Sequence, residues 1–224
     1  MMEDNRTLWQ RSMEVFDKLE IAPFEISEDH YFALLNAGAD SIEKDKKANK
    51  NLAGHIQREF ELDLKDPKLH DFQKFVLGVT DHEILEGYKN SISPVDKDRP
   101  FCFSKLWINY QKKYEFNPMH VHRGVFSFVL FMKIPYDLEQ EDKVFPDTVN
   151  PGKFEGYHDD LRTSRFVFVN PDPLYGMKQI PLHVDKSFEG KGCLFRSLQN
   201  HMVYPFYTSD ETRVTVSGNI VIHV

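Results

Sequence analysis

The sequence predicts a mainly β fold, a sandwich or barrel, with helices packed outside it. Helical periodicity ends near Pro100, and short runs rich in Phe, Val, Ile and Tyr follow, separated by Pro, Gly, Asn and Asp. Short strands at such intervals are typical of a sandwich or barrel and not of a parallel α/β sheet. Because the 224 residues contain no linker or internal repeat, we expect one domain, residues 1–224. A mainly helical part (1–99) would precede the β core (100–224).

Three helices are predicted before the β core. Apolar residues recur at helical spacing from Trp9 to Phe16, which predicts an opening amphipathic helix. Ser27 is followed by two acidic residues, a typical helix start. A third helix is predicted to begin at Asp66-Pro67, because proline is well tolerated in a first turn. The apolar stripes of these helices would pack against the sheet.

The β core is predicted to contain five strands, one of them buried on both faces. Residues Phe126–Ile134 are apolar at nearly every position, which is typical of a strand covered on both sides. The acidic segment Tyr136–Asp160 contains prolines and a Pro-Gly pair, and we interpret it as a lid or substrate-facing loop. The five predicted strands are Phe101–Tyr110, Gly124–Ile134, Arg165–Asn170, Gly192–Phe195 and Arg213–Val224.

Composition and charge predict a soluble, intracellular, cytoplasmic protein. The formal net charge of -7 argues against a polyanion such as nucleic acid as partner. The two cysteines, Cys102 and Cys193, lie far apart without metal-binding spacing and are interpreted as reduced thiols. No signal-peptide pattern opens the chain, and the longest apolar run, Val125–Ile134, is too short to cross a bilayer. No membrane partner is expected, and the sequence leaves the oligomeric state open.

Two histidines directly before the buried strand form a candidate metal pair. In an extended chain, residues two apart project on the same face, so His120 and His122 can reach one ion while Val121 points away. Two imidazoles suit Fe, Zn, Cu or Ni. The competing interpretation is that both rings serve only as hydrogen-bonding groups.

Two further features near the carboxyl end complete the candidate site. His201 follows a turn with two glycines and a short apolar strand, a position from which it can return to the mouth of a barrel. The last predicted strand alternates polar and apolar residues and begins with Arg213 and Thr215 on its polar face. A guanidinium with a hydroxyl two residues on can clamp a carboxylate, although an exposed edge strand shows a similar pattern.

The order His-x-His, a distal His, and an Arg twelve positions later followed by x-Thr resembles the Fe(II)/2-oxoglutarate-dependent dioxygenase superfamily. Neighbouring motifs are similar to a phage-type group of 2OG-Fe(II) oxygenases, which suggests a phage-infected host cell as the location. The resemblance covers residues 101–224. The motifs are Phe116-Asn117-Pro118, Ser127-Phe128-Val129, Lys133-Ile134-Pro135 and His201-Met202-Val203-Tyr204-Pro205-Phe206.

The resemblance implies a double-stranded β-helix (jelly-roll) core with the amino-terminal helices outside it. It implies Fe(II) as metal and 2-oxoglutarate as co-substrate, with O2 and an unidentified substrate as partners. The expected activity is a hydroxylase that couples 2-oxoglutarate decarboxylation to C–H oxidation. His120, His122 and His201 would be the metal-binding catalytic residues. Arg213, with help from Thr215, would bind the distal carboxylate of 2-oxoglutarate.

His122 departs from the superfamily pattern, because most members have Asp or Glu at this position. We interpret it as a true ligand, since it shares a strand face with His120. One alternative is a cupin-type three-histidine metalloenzyme, although cupins place a Glu shortly after His-x-His, where this chain has Val125, Phe126 and Ser127. A second alternative is a non-catalytic β-barrel binding protein.

Two other histidines spell the superfamily's usual His-x-Asp motif. His183 lies too few strands before His201 to meet it across a barrel, so we reject it. His158 lies in the acidic segment, away from a buried strand, and is the weaker candidate for a ligand.

Overall fold

Ten strands in two antiparallel sheets form the body of the protein. The computed structural model describes residues 5–48, 54–92, 100–144, 163–174 and 176–223. The larger sheet has the order β1-β8-β5-β10-β3-β2, and the smaller has the order β4-β9-β6-β7. The strands are β1 (Ala22–Glu25), β2 (Glu59–Glu61), β3 (Phe101–Gln111), β4 (Asn117–His120), β5 (Phe126–Lys133), β6 (Phe166–Asp172), β7 (Gly176–Leu182), β8 (Lys191–Arg196), β9 (Asn200–Val203) and β10 (Arg213–Ile222).

Side chains cap the starts of the first three helical segments, and the sequence predicts two of these starts, at Ser27 and at Asp66. The Thr7 and Gln10 side chains form a capping box at the first helix, and the Ser27 hydroxyl accepts from His30 N at 3.3 Å at the second. Asp66 caps a short 3-10 turn that opens the third. The helices are α1 (Leu8–Leu19), α2 (Glu28–Glu43), α3 (His70–Val79), α4 (Glu86–Ile92) and α5 (Leu138–Asp142), with 3-10 turns at Pro67–Leu69, Glu83–Leu85 and Lys186–Phe188.

The amino-terminal part contributes two strands to the larger sheet in addition to its helices. The sequence did not predict these strands. Strand β1 pairs with β8 and strand β2 pairs with β3, so both become edge strands of the six-stranded sheet. They have four and three residues, too few to display an alternating pattern. The short strands β4 and β9, which carry site histidines, and the edge strand β7 were not predicted as strands either.

Two apolar layers cover the six-stranded sheet. In the outer layer, α2 and α3 pack against one face of the six-stranded sheet. Phe72 and Val76 of α3 belong to the same cluster as the even-numbered residues of β5. The inner layer lies between the sheets and includes Val129 and Phe131, the odd-numbered residues of the same strand. Strand β5 is therefore buried on both faces, as its sequence predicts. Within the described ranges no helix has the length and apolar character needed to span a membrane.

Candidate metal centre

Three histidines converge between the two sheets. His120 ends β4 and lies directly opposite His201 in the antiparallel pairing of β4 with β9. His122 follows two residues later, and its backbone N–H donates to Ser197 O at 2.8 Å. Because residues two apart share a face, His120 and His122 point to the same side as His201. The structure therefore brings these three residues together, and their binding of a metal stays a prediction.

The spacing of the three rings fits a single metal ion. Their potential ligand nitrogens all lie within 4.8 Å of one another. The Nε2 atoms of His122 and His201 are 3.2 Å apart, and the ring centroids of His120 and His201 are 4.3 Å apart. Two imidazole nitrogens bound at 2.0–2.1 Å, at roughly a right angle, are about 3 Å apart. The observed separation is that of two neighbouring ligands on one ion.

Hydrogen bonds to the backbone orient two of the rings. His120 Nδ1 lies 2.7 Å from Pro118 O, and His201 Nδ1 lies 2.8 Å from Gln199 O. A carbonyl can only accept, so each ring donates its Nδ1–H and keeps a lone pair on Nε2. Metal-bound histidines typically hold their second nitrogen in this way.

Burial keeps all three imidazoles neutral. Burial is the main cause that lowers the pKa of His120. It is also the main cause that lowers the pKa of His201 well below the usual range. Burial, with a smaller contribution from neighbouring His120, lowers the pKa of His122 to about 4. A metal requires neutral imidazole, so at neutral pH no proton has to leave before an ion binds.

Aromatic side chains enclose the histidines. Phe166 stacks on His201 with ring centroids 5.6 Å apart, and Phe195 meets the same ring edge-on at 5.0 Å. Trp107 packs beside His122 with centroids 5.6 Å apart. These contacts fix the rings and surround them with apolar groups, which strengthens electrostatic interactions in the site.

A buried polar network supports the backbone next to His122. Ser197, whose carbonyl accepts from His122, has its hydroxyl 2.9 Å from that of Ser127. Ser127 in turn donates to Asn219 Oδ1 at 2.9 Å. Gly124 begins the approach to β5 with φ +124°, and a Cβ there would lie 2.7 Å from Ile220 O. This turn therefore requires glycine.

The cavity also contains a charged side chain, Arg213, at the start of β10. Its guanidinium is buried and donates to Tyr136 Oη at 3.2 Å, Ser164 O at 3.0 Å and Gln111 Oε1 at 2.5 Å. Within the described part of the chain, no carboxylate lies within 4.0 Å of it. Its Nε has no hydrogen-bond partner there. The site thus holds a cation whose charge is not matched by an adjacent acid.

The backbone behind Arg213 is held by a second buried arginine. Ser164 adopts a left-handed conformation with φ +59°, an uncommon state for a residue with a side chain. Arg165 donates to Ser164 Oγ at 3.1 Å and pairs with Asp142 at 2.5 Å. These contacts fix the Ser164 carbonyl that accepts from Arg213.

One cavity joins the histidines to the guanidinium. It is lined by His120, His122, His201, Arg213 and Thr215, among others. The Thr215 hydroxyl accepts from Asn109 Nδ2 at 3.2 Å. All five residues singled out from the sequence therefore meet in one place.

Sequence reasoning missed several residues that line the same cavity. They have no shared motif, because they come from strands and turns that only folding brings together. The alternation of polar and apolar residues along β3 is the one signal that could have indicated some of them. The missed residues are Glu59, Trp107, Asn109 and Gln111.

Of the two competing histidines, only His183 belongs to the described residues, and it does not join the cluster. His183 lies outside the three-histidine group found among the described residues, which agrees with its rejection. His158 lies outside the described residues, as does most of the segment predicted to be a lid. The described beginning of that segment is packed, since Tyr136 and Glu141 are buried.

The chain is similar to solved structures of one enzyme class over nearly its whole length. A prolyl-4-hydroxylase from Pseudomonas putida matches with TM-score 0.55 and 11% identity, over 97% of this chain and 100% of that one. SnoN, a non-haem α-ketoglutarate-dependent epimerase of nogalamycin biosynthesis, matches with TM-score 0.53 and 10% identity, over 95% and 80%. The viral collagen prolyl hydroxylase of Paramecium Bursaria Chlorella virus-1, solved with 2-oxoglutarate, matches with TM-score 0.51 and 12% identity, over 92% and 98%. These likenesses confirm the double-stranded β-helix fold.

The sequence itself identifies the family. No curated protein sequence matches it, and the phage-type subgroup stays a prediction. A family model described as "Putative 2OG-Fe(II) oxygenase" matches residues 105–219, just over half of the 224 residues. The chain therefore belongs to the 2OG-Fe(II) oxygenase family, the non-haem iron dioxygenases that use Fe(II) and 2-oxoglutarate.

Proposed function

We propose that this oxygenase is a hydroxylase with a three-histidine iron site. His120, His122 and His201 would hold Fe(II), and Arg213 with Thr215 would hold the distal carboxylate of 2-oxoglutarate. The observation that carries the proposal is Arg213, a buried guanidinium that no carboxylate of the described residues approaches, in the same cavity as three neutral imidazoles.

The charge of Arg213 supports the assignment of the co-substrate site. A buried charge without an ionic partner is costly, and a carboxylate ligand offsets that cost. A guanidinium offers a planar two-point fork that matches a carboxylate. Its unpartnered Nε and the Thr215 hydroxyl supply donors on the cavity side.

The chemistry of the histidines supports Fe(II) at the other end. Imidazole suits iron, and three protein ligands leave coordination positions open for other molecules. Three neutral rings also leave the two positive charges of the metal to be matched by the two negative charges of 2-oxoglutarate. When bound, Fe(II) and 2-oxoglutarate supply the O2-dependent oxidising chemistry, with succinate and CO2 as co-products.

The protein's own contribution is binding, orientation and exclusion of water. Carbonyls of Pro118 and Gln199 hold two imidazoles with Nε2 facing inward. Apolar side chains of Phe166, Phe195 and Val203 line the space between the two ends. A dry cavity protects a reactive site from side reactions.

Hydroxylation is the reaction named for two of the three similar structures, the two prolyl hydroxylases. The third is named as an epimerase. At 10–12% identity these names do not transfer to this chain. They support C–H oxidation as the class of reaction and leave the substrate open.

The test is anaerobic reconstitution with Fe(II) and 2-oxoglutarate. The proposal predicts the metal-to-ligand charge-transfer band of the chelate, and succinate formation once O2 is admitted. A protein that binds iron but never forms the band would be a three-histidine metalloprotein of another kind, as in the cupin alternative. A protein that forms the band but releases no succinate, with any substrate offered, would be a binding protein.

A further inference from the structure

We propose that one side of the cavity binds a cationic amino or guanidino group of the substrate. This side, here called the β2–β3 wall, consists of Glu59 on β2 and of Trp107 and Asn109 on β3. The inference rests on the proposed function, because it concerns the molecule that the oxygenase oxidises.

Register places the wall beside the co-substrate site. In the six-stranded sheet, Thr215 of β10 lies opposite Asn109 of β3, and Asn109 lies opposite Glu59 of β2. The three residues therefore form one row across neighbouring strands, and all line the cavity that contains the histidines. The row runs from the 2-oxoglutarate clamp to the edge of the sheet.

The wall is buried and offers hydrogen-bond acceptors. Glu59 is 2% exposed, and Asn109 and Trp107 are each 5% exposed. The Asn109 amide donates to Thr215 Oγ1, while its Oδ1 has no hydrogen-bond partner within the described residues. A buried acceptor left without a donor destabilises the protein, and a ligand that donates to it removes that cost. A carboxylate such as Glu59 has about four acceptor positions, so it can bind a ligand in addition to its other contacts.

The co-substrate cannot satisfy these acceptors. At neutral pH 2-oxoglutarate carries two carboxylates and a ketone, which only accept hydrogen bonds. The cavity therefore has a donor side at Arg213, which suits 2-oxoglutarate, and an acceptor side at Glu59 and Asn109, which does not. A second bound molecule with N–H donors fits the acceptor side, and that molecule is the substrate.

A positive charge on the donor group fits the wall better than a neutral one. Burial, with a smaller contribution from Glu115, raises the pKa of Glu59 to about 7, and a cation bound beside the carboxyl group would favour its anionic form. An indole such as that of Trp107 also attracts cations. The formal net charge of -7 favours the encounter of the protein with a cation. Alkylamines and alkylguanidines, including basic side chains of a peptide, are the class of ligand indicated.

The test compares two probes of one shape, n-butylguanidinium and neutral n-butylurea. Each is titrated into the full chain loaded anaerobically with Fe(II) and 2-oxoglutarate, and the perturbation of the chelate band reports binding. The wild-type protein should bind the guanidinium at least about tenfold more tightly than the urea. Glu59→Gln should reduce that preference to within about twofold. Glu61→Gln is the matched control, because Glu61 lies on the same strand but is exposed, and it should leave the preference unchanged.

Two results would overturn the inference while the proposed function stands. One is equal affinity for both probes in the wild-type protein, a comparison that needs no variant to fold. The other is a tenfold preference that survives in Glu59→Gln. If the chelate band never forms with 2-oxoglutarate, the proposed function fails and this inference fails with it.

Discussion

The two ends of the cavity are built in different ways. At the metal end, His120 and His201 are each oriented by the carbonyl of the residue two positions earlier in the chain. At the other end, Arg213 is oriented by Gln111, Tyr136 and Ser164, which are 102, 77 and 49 positions away. The fold brings the side chains of both ends together, but these two imidazoles are oriented by local contacts, whereas the guanidinium is oriented by distant segments.

This difference has consequences for substitutions. The neighbouring backbone carbonyl fixes the tautomer of His120 and that of His201. A substitution at the metal end should therefore change metal affinity mainly by removing an imidazole ligand. Several partners orient the guanidinium of Arg213. Substitution of any one of them is therefore expected to cause only a small loss of 2-oxoglutarate affinity.

The largest effect is expected from loss of a histidine. His120→Ala and His122→Ala should each weaken metal binding by more than about 100-fold, because loss of a ligand exceeds the 10–100-fold typical of changes to groups that only orient ligands. His122→Asp should retain the metal, since a carboxylate oxygen can occupy the same position. Competition with a chelator measures the affinities. Near wild-type affinity in His122→Ala would show that the site has only two histidine ligands.

The second effect concerns the guanidinium end alone. Arg213→Lys keeps the charge but loses the planar fork, so it should raise the 2-oxoglutarate dissociation constant at least about tenfold, roughly 1.4 kcal/mol. Metal affinity without 2-oxoglutarate should not change. Calorimetric titration measures both, with Arg11→Lys on the exposed face of α1 as control. Unchanged 2-oxoglutarate binding would remove Arg213 from the co-substrate site.

These two sets of residues also mark how far the sequence could predict the site. His120 and His122 share a short motif, and Arg213 heads an alternating strand, so all three are visible as local patterns. Gln111 and Ser164 carry no such pattern, because their role follows from tertiary contacts. Tyr136 was assigned to a predicted lid, and the structure buries it beneath Arg213.

The fold was predictable to a similar extent. Strand β5, apolar at nearly every position, and helix α2, with its capping serine, were both predicted because their signals lie within one segment. The edge strands β1 and β2 were missed, since a run of three or four residues has no measurable period. Their pairing is decided by the neighbouring strands β8 and β3.

The third effect concerns Glu59, which belongs to neither end. Its pKa is raised from 4.5 to about 7, so the folded protein holds this proton more tightly than the unfolded chain. The stability contributed by that proton is present below about pH 4.5 and is lost as the pH rises through about 7. Glu59→Gln imitates the neutral acid, so it should raise the free energy of unfolding by about 1 kcal/mol at pH 8, a value reduced for partial solvation.

Denaturant unfolding at pH 8 and at pH 4.5 measures this effect. At pH 4.5 the variant and the wild-type protein should differ little, because Glu59 is then protonated in the folded state. Glu61→Gln, on the same strand, should show no such pH dependence. A Glu59→Gln variant that is less stable than wild type at pH 8 would contradict the raised pKa.

The smallest expected effect tests whether several residues share the orientation of Arg213. Tyr136→Phe removes one donor and acceptor beside Arg213, and a single hydrogen bond contributes about 1 kcal/mol or less. We expect the 2-oxoglutarate dissociation constant to rise about threefold while metal affinity is kept. Tyr204→Phe is the control, because the Tyr204 hydroxyl donates to Gln179 Oε1 and not to a partner of Arg213. A change in metal affinity as large as that in 2-oxoglutarate affinity would mean that the two ends are not separable.

The most direct test of the central claim is a crystal structure with 2-oxoglutarate and Zn(II) as a redox-inert substitute for iron. The account predicts that Nε2 of His120, His122 and His201 all lie about 2.0–2.1 Å from the metal. It also predicts two hydrogen bonds from Arg213 to the distal carboxylate of 2-oxoglutarate. A structure in which His122 Nε2 lies beyond about 3 Å from the metal, with water in its place, would contradict the three-histidine site.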